Sequence, residues 1–195
     1  MDKELERVRA EAAGIELDEE LAARFPVKSR QKLEIPGDEA DITVYLYEPE
    51  NRTGVTPLII NLHGGGFVKS YRGRDIILSQ NFAWHTGCLV ADVDYKTAPE
   101  KKYPYAQMEG YRVVEYFYQH AEQYRIDPQR IILSGQSAGA NLIIGIAMRF
   151  LRREEHPVCQ LIMAYPPLDL YKDPMEKPFT ESEEEKKMAI NGRLY

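Results

Sequence analysis

Residues 131–141 read Ile131-Ile132-Leu133-Ser134-Gly135-Gln136-Ser137-Ala138-Gly139-Ala140-Asn141. An apolar run stops at a Gly-x-Ser-x-Gly sequence and then resumes as an apolar segment that is compatible with a helix. This pattern predicts a buried strand that turns sharply into a helix, with Ser137 at the apex. A strained turn of this kind needs small residues nearby, and Gly135 and Gly139 meet that need. A glycine-rich connection without chemistry is the alternative, because chance places two such glycines around about one serine in 200.

Apolar runs and helix-compatible segments alternate along most of the chain. The runs that predict strands are 57–62, 88–94, 131–136 and 158–164, and the segments that predict helices are 74–85, 106–124 and 138–153. This alternation predicts an α/β fold with a mostly parallel sheet that is flanked by helices. Residues 27–35 and 42–47 alternate in hydrophobicity around a Pro-Gly-Asp turn, which predicts an N-terminal antiparallel hairpin.

A second glycine-rich segment follows another predicted strand. Residues 63–67 read His63-Gly64-Gly65-Gly66-Phe67, directly after the run at 57–62. Ligands of parallel sheets bind beyond the carboxyl ends of the strands, so this segment and Ser137 are expected at one edge of the sheet. The helix that starts after Ser137 also offers unpaired backbone N–H groups to a developing oxyanion.

Composition narrows the class of protein. The 195 residues suffice for one domain with a sizeable core, and the net charge of -6 gives no reason to expect nucleic acid or an anionic membrane as partner. No apolar run approaches the roughly 20 residues of a membrane span, and the charged N-terminus lacks the apolar core of a signal peptide. We therefore expect a soluble, cytoplasmic protein.

The two cysteines, Cys88 and Cys159, both lie in apolar runs and are predicted to be buried free thiols. Neither has the Cys/His spacing of a zinc site, so no metal and no cofactor are predicted.

Both ends of the chain differ from its middle. Residues 1–26 predict a polar helical segment that packs over the domain like a cap, and residues 171–195, rich in charge and proline, predict a tail or the start of a cap insertion. Residues 1–195 then form a single α/β domain, which we expect to be incomplete.

Several segments resemble the hormone-sensitive-lipase-like esterase family of α/β-hydrolases. The segment at 63–67 resembles the family's oxyanion motif, and the turn at 135–142 resembles its nucleophile elbow, with Gln136 where the family usually has Asp or Thr. Residues 94–100 read Asp94-Tyr95-Lys96-Thr97-Ala98-Pro99-Glu100, similar to the family's Asp-Tyr-Arg-Leu-Ala-Pro-Glu loop. Residues 165–170 resemble the segment after the next strand.

The resemblance implies an α/β-hydrolase fold and hydrolysis of small carboxylic esters through an acyl-enzyme on Ser137. The N–H groups of Gly64, Gly65 and Ala138 would then hold the oxyanion. The family's pattern also implies that Gly66 keeps the loop thin and that His63 shapes it.

The general base is the part of this chemistry that the sequence does not supply. The family's fold places its triad in the order Ser, acid, His, and only His156 follows Ser137. A helix rising about 1.5 Å per residue carries His156 about 24 Å away, to the opposite edge of the sheet. His85 and His120 are expected at that far edge too, and for His63 we favour the loop-shaping role over that of base.

Two hypotheses therefore stay open. The first is a serine carboxylesterase acting on short-chain esters. The second is a non-catalytic hydrolase remnant that acts as a binding or interaction module, because the chain is expected to stop before the triad acid, the histidine and the last strands. Asp169, after the strand at 158–164, is expected to be structural. The last strand would then be an unpaired edge, which predicts homo-oligomers.

Overall fold

The computed structural model describes residues 3–13, 16–154 and 156–172. The strands are β1 (Val27–Ile35), β2 (Ile42–Pro49), β3 (Thr56–Leu62), β4 (Leu89–Asp94), β5 (Ile126–Gln136) and β6 (Val158–Ala164). The helices are α1 (Lys3–Ala13), α2 (Glu19–Ala22), α3 (Gly73–Thr86), α4 (Tyr105–Gln119), α5 (Ala121–Tyr124) and α6 (Ala138–Phe150).

The strands form one six-stranded sheet in the order β1-β2-β4-β3-β5-β6. β4, β3, β5 and β6 run parallel, and β1 and β2 form an antiparallel hairpin whose second strand pairs antiparallel with β4. The predicted α/β class, the mostly parallel sheet and the N-terminal hairpin are confirmed.

Helices cover both faces of this sheet. α4 and α6 pack against β5 on one face, and α3 packs against β2 and β4 on the other. Successive side chains of a strand point to opposite faces, so Ile60 joins the large core under α4 and α6 while Ile59 joins the smaller core under α3. Burial on both faces is the reason why β3 and β4 are almost continuously apolar in sequence.

Three predicted elements differ from the structure by more than two residues at one end. β5 begins at Ile126 rather than near residue 131, because Ile126 already pairs with Thr56 and a register shift lets the strand continue. The helix predicted over 106–124 is two helices that are interrupted at His120, whose φ of -108° and ψ of 25° are not helical. The last predicted helix ends at Phe150 rather than at residue 153.

β6 pairs with β5, and among the described residues it lies at the edge of the sheet. α6 covers one face of β6, whereas α3 packs on the far side of the sheet, against β2 and β4. The prediction that Cys159 is buried is therefore wrong, since its thiol is exposed on β6. Cys88 is buried as predicted.

The N-terminal helix α1 contacts two loops that follow the strands. The guanidinium of Arg9 donates from Nε to the carbonyl oxygen of Val68 at 2.9 Å and from Nη2 to that of Ala98 at 2.7 Å. It also pairs with Glu100 at 2.5 Å, which lowers the pKa of this carboxyl to about 2. The division into a cap-like segment at 1–26 and a body stays a prediction, and most of the predicted tail, at 173–195, lies outside the described residues.

Candidate active site

The predicted turn around Ser137 lies between the end of β5 and the start of α6. Ser137 has a φ of 52° and a ψ of -116°, a conformation that L-residues rarely adopt. Two hydrogen bonds hold this backbone: the N–H of Ser137 donates to Ala164 O at 2.9 Å, and the N–H of Asn141 donates to Ser137 O at 3.1 Å. The serine is therefore fixed at the carboxyl edge of the sheet in a strained conformation.

Two glycines allow the chain to pass through this turn. A Cβ on Gly135 would lie 2.5 Å from the carbonyl carbon of Gly139. A Cβ on Gly139 would collide with the carbonyl oxygen of Leu62, the last residue of β3. Hydrogen is thus the only side chain that fits at either position, and α6 starts in direct contact with the end of β3.

The glycine-rich loop at 63–67 lies against the serine turn. A Cβ on Gly64 would lie 2.8 Å from Gln136 O and 3.5 Å from the Cβ of Ser137. Gly65 and Gly66 have φ values of 144° and 60°, which are strained for any other residue. The structure therefore brings Gly64, Gly65 and Ser137 together at one place, next to Ala138 at the start of α6.

Two buried side chains fix the orientation of the peptide between Gly64 and Gly65. Gly64 O accepts hydrogen bonds from Nη2 of Arg72 at 2.6 Å and from Nδ1 of His63 at 2.9 Å. In a planar trans peptide the following N–H points the opposite way, so the N–H of Gly65 faces away from Arg72. Ala138 is the first residue of α6, and its N–H has no acceptor within the helix. Both are amides of the kind that an oxyanion hole uses.

His63 is a neutral, buried imidazole. Its ring stacks on that of Tyr95 at a centroid distance of 4.1 Å, and burial lowers its pKa to about 4. Because Nδ1 faces a carbonyl oxygen, Nδ1 carries the proton. Nε2 has no hydrogen-bond partner among the described residues. Because Nε2 is buried and the lowered pKa makes the ring a weak base, the loop-shaping role is favoured over the role of base.

The other three of the four histidines lie far from Ser137 in the topology. His85 is in the last turn of α3, His120 follows α4 and His156 precedes β6, which places all three at the opposite edge of the parallel strands. Each uses Nδ1 locally, on the carbonyl oxygens of Asn81, Tyr116 and Phe150 respectively. These three histidines therefore lie too far from Ser137 to take its proton.

Asp169 is engaged in the turn after β6. Its Oδ1 accepts from the backbone N–H groups of Tyr171 at 3.1 Å and Lys172 at 3.3 Å. This is the arrangement of a residue that shapes a turn, and it favours the structural role.

Known proteins share this architecture. A sequence profile described as alpha/beta hydrolase fold matches residues 59–194. The chain belongs to the α/β-hydrolase fold family. An acetyl esterase of Salmonella paratyphi A is 32% identical to this hydrolase over 142 residues, which are 73% of the hydrolase chain and 43% of that relative. The chain thus spans less than half the length of the curated relative.

Solved structures agree with the sequence comparison. An esterase of Pyrobaculum calidifontis superposes with a TM-score of 0.78 at 27% identity, covering 92% of this chain and 56% of that one. A bacterial heroin esterase gives a TM-score of 0.77 at 30% identity, covering 89% and 54%. These comparisons confirm the resemblance to hormone-sensitive-lipase-like esterases that the motifs predicted.

Neither a metal site nor a membrane-spanning helix is present in the part of the chain that the structure describes. No group of three or more His, Cys, Asp or Glu side chains is placed to hold a metal ion there. None of the helices in those same ranges combines the length and the hydrophobicity that a bilayer crossing needs.

Sequence reasoning missed a buried carboxylate beside the site. Asp92 lies in the apolar strand β4 and is fully buried. Its Oδ2 accepts from the hydroxyls of Tyr71 and Ser79, both at 2.7 Å, and Tyr71 in turn lies 2.9 Å from the hydroxyl of Tyr47. Burial raises the pKa of Asp92 to about 7. The available signal was one carboxylate inside a strand that is apolar on both faces, where it must have partners.

Arg72 was also missed, and its role in the oxyanion loop is testable. Replacing it by Met removes the donor to Gly64 O and the cation 3.4 Å from buried Asp75. Hydrogen bonds of charged groups contribute about 1.5–3 kcal/mol, so R72M should lower the free energy of unfolding by that amount in urea titrations. Amide exchange at Val68 and Lys69, whose N–H groups donate to Gly65 O, should rise as well.

Arg74 provides the matched control for R72M. It lies 3.7 Å from the same Asp75, but its side chain is half exposed. Exposed ion pairs contribute about 0–1 kcal/mol, so R74M should have little effect. Equal losses in the two variants would contradict the assigned role of Arg72.

Asp92 should make stability depend on pH. Because its pKa is raised from 3.8 to about 7, the folded protein holds a proton that the unfolded chain releases in this window. The contribution of Asp92 to stability is complete below pH 4 and is lost as pH rises towards 7. Relative to D92N, the wild type should lose about 1.4 kcal/mol of unfolding free energy per pH unit across the window.

The comparison needs urea titrations of both proteins at pH 5 and pH 8. Asp127→Asn is the control, because Arg130 lowers the pKa of the partly exposed Asp127 and keeps it ionised at both pH values. An identical difference between wild type and D92N at the two pH values would refute the assignment.

Proposed function

We propose that this hydrolase supplies the nucleophile and the oxyanion hole of a serine carboxylesterase for small esters with short acyl chains. The observation that carries the proposal is the contact between two backbones: the strained turn at Ser137 lies against the loop of Gly64 and Gly65. The family membership and the acetyl esterase relative support the same chemistry.

The reaction follows from this arrangement. The Oγ of Ser137 attacks the ester carbonyl carbon, and the electron pair of the C=O bond moves to oxygen. The N–H groups of Gly64, Gly65 and Ala138 donate to this oxyanion. Removing one side-chain donor from the oxyanion hole of a serine protease costs about 2.7–4 kcal/mol of transition-state stabilisation. When the tetrahedral species collapses, the bond from carbon to the leaving oxygen breaks, and that oxygen takes up the proton that Ser137 gave up. An acyl-Ser137 ester remains, and water hydrolyses it to the carboxylic acid and free Ser137.

The proton of Ser137 needs an acceptor. Burial lowers the pKa of His63 to about 4, which makes it a weak base, and the other three histidines lie at the opposite edge of the sheet. The proposal therefore assigns to these residues the attack on the ester and the stabilisation of the oxyanion, and it assigns the base to none of them. A second chain that supplies a histidine would raise the rate when it is mixed with this one.

The nucleophile is tested by replacing Ser137 with Ala. Hydrolysis of p-nitrophenyl acetate and covalent labelling by a fluorophosphonate should both fall to background in S137A. Ser134→Ala is the matched control, since Ser134 is buried three residues earlier in β5 and its hydroxyl has no partner among the described residues. Turnover that survives in S137A would rule the proposal out.

The histidine placement favours a second candidate, a non-catalytic interaction module that associates through β6. The backbone of β6 is paired on one side only within the described residues, and exposed strand edges pair readily with other chains. We expect homo-oligomers in light scattering, and a shift towards monomer for Gln160→Lys, which adds a charge to this edge strand.

Gln119→Lys, on the exposed end of α4, is the control for the change in charge. A monodisperse monomer of the unmodified chain would contradict association through β6. Labelling of Ser137 by a fluorophosphonate, at a rate near that of an intact esterase, would count against a purely non-catalytic role.

A further inference from the structure

Three polar side chains link the residue before the nucleophile to the buried carboxylate. Nε2 of Gln136 donates to Oδ1 of Asn61 at 2.9 Å, and Nδ2 of Asn61 donates to Oδ1 of Asp92 at 2.8 Å. The three residues lie on the neighbouring strands β5, β3 and β4, and Asn61 and Asp92 are direct partners in the register. Asn61 and Asp92 are fully buried.

The chain has a fixed direction. Ionised Asp92 can only accept, and its second oxygen is already used by Tyr71 and Ser79. Asn61 must therefore turn its NH₂ group to Asp92, which leaves its oxygen facing position 136. Whatever stands at position 136 has to donate a hydrogen bond, and the NH₂ group of Gln136 does so.

This direction accounts for a departure from the family pattern. The resembling esterases usually carry Asp or Thr at the position before the nucleophile. An ionised carboxylate there would face the oxygen of Asn61 without a proton between them. Gln136 is thus the donor that the acceptor Asp92 requires at the other end of the chain of hydrogen bonds, although the two side chains do not touch.

Gln136 also contacts the rest of the site through its backbone. Its carbonyl oxygen lies against Gly64, and its peptide leads directly into the strained Ser137. Its register partner is Ala164, whose carbonyl oxygen accepts from the N–H of Ser137. A rotation of residue 136 would therefore move both the nucleophile and the loop that faces it.

We propose that the Gln136–Asn61–Asp92 chain holds Ser137 in its strained conformation, with Asn61 and Asp92 acting through Gln136 as positioning residues. The inference rests on the proposed role of Ser137 as nucleophile. It adds that positions 61, 92 and 136 form one unit. The acceptor at position 92 fixes the orientation of the Asn61 amide, and this orientation requires a hydrogen-bond donor at position 136.

A reversal of polarity tests this unit. Gln136→Glu keeps the shape and replaces the donor by an acceptor, so two oxygens face each other. Asp92→Asn in the same protein restores the pattern in the opposite direction: the new amide donates to Asn61 O, and the NH₂ group of Asn61 then donates to the new carboxylate. The hydroxyls of Tyr71 and Ser79 can still donate to the oxygen of the amide at position 92.

Two readouts are measured on the full chain at pH 8.5: hydrogen exchange of peptides covering 133–141, normalised to the β1–β2 hairpin, and the rate of fluorophosphonate labelling of Ser137. Two facing oxygens leave a buried group without a hydrogen bond, so Q136E should raise the exchange and lower the labelling rate by about tenfold or more. The double variant Q136E/D92N should return both to within about threefold of wild type.

Ser79→Ala separates positioning from general stability. It removes a donor from the other oxygen of Asp92 and leaves the direction of the chain unchanged. S79A should lower the melting temperature while the normalised exchange at 133–141 stays at the wild-type level. Gln136→Met removes the donor without burying a charge, so it serves where Q136E does not fold, and D92N should not rescue it.

Two results would overturn the proposal: wild-type exchange at 133–141 in both position-136 variants, or a double variant no better than Q136E alone. A chain that shows the expected exchange pattern but no labelling of Ser137 in the wild type supports the positioning unit and refutes the nucleophile. Failure of the positioning unit and failure of Ser137 as nucleophile therefore give different results.

Discussion

The site depends on one backbone contact, in which Gly139 at the start of α6 touches the carbonyl oxygens of Leu62 and His63 at the end of β3. A helix normally disfavours glycine by about 1 kcal/mol relative to alanine. Here a methyl group would push α6 off the sheet and separate the serine turn from the glycine-rich loop. The two parts of the proposed oxyanion hole come from segments about 70 residues apart, and this contact is what joins them.

Much of the fold could be predicted because burial on both faces leaves a direct mark on the sequence. β3 and β4 are apolar almost without interruption, and the hairpin of β1 and β2 alternates. The start of β5 and the exposure of Cys159 could not be predicted in the same way. They depend on the register with Thr56 and on which helices cover β6, and both are properties of the assembled sheet.

The residues of the site likewise divide into those that the sequence predicts and those that only the folded structure reveals. The glycines of the turn and the loop are local requirements of backbone geometry, so the motifs reveal them. Asn61 is 31 residues from Asp92 and 75 residues from Gln136, and only the strand order brings the three together. Arg72 likewise is an ordinary charged residue in sequence, and its contact with Gly64 O appears only when the loop has folded back.

The guanidinium of Arg9 joins three segments: α1, the glycine-rich loop through Val68 and the 95–100 loop through Ala98 and Glu100. The two loops also contact each other directly, since the carbonyl oxygen of Phe67 accepts a hydrogen bond from the N–H of Ala98. Thermodynamic linkage makes this bridge reciprocal. A substrate that orders the two loops must also tighten the docking of α1, and whatever detaches α1 must weaken the binding of that substrate. Helix α1 is thus an energetic part of the edge that carries Ser137, even though it lies outside the proposed site.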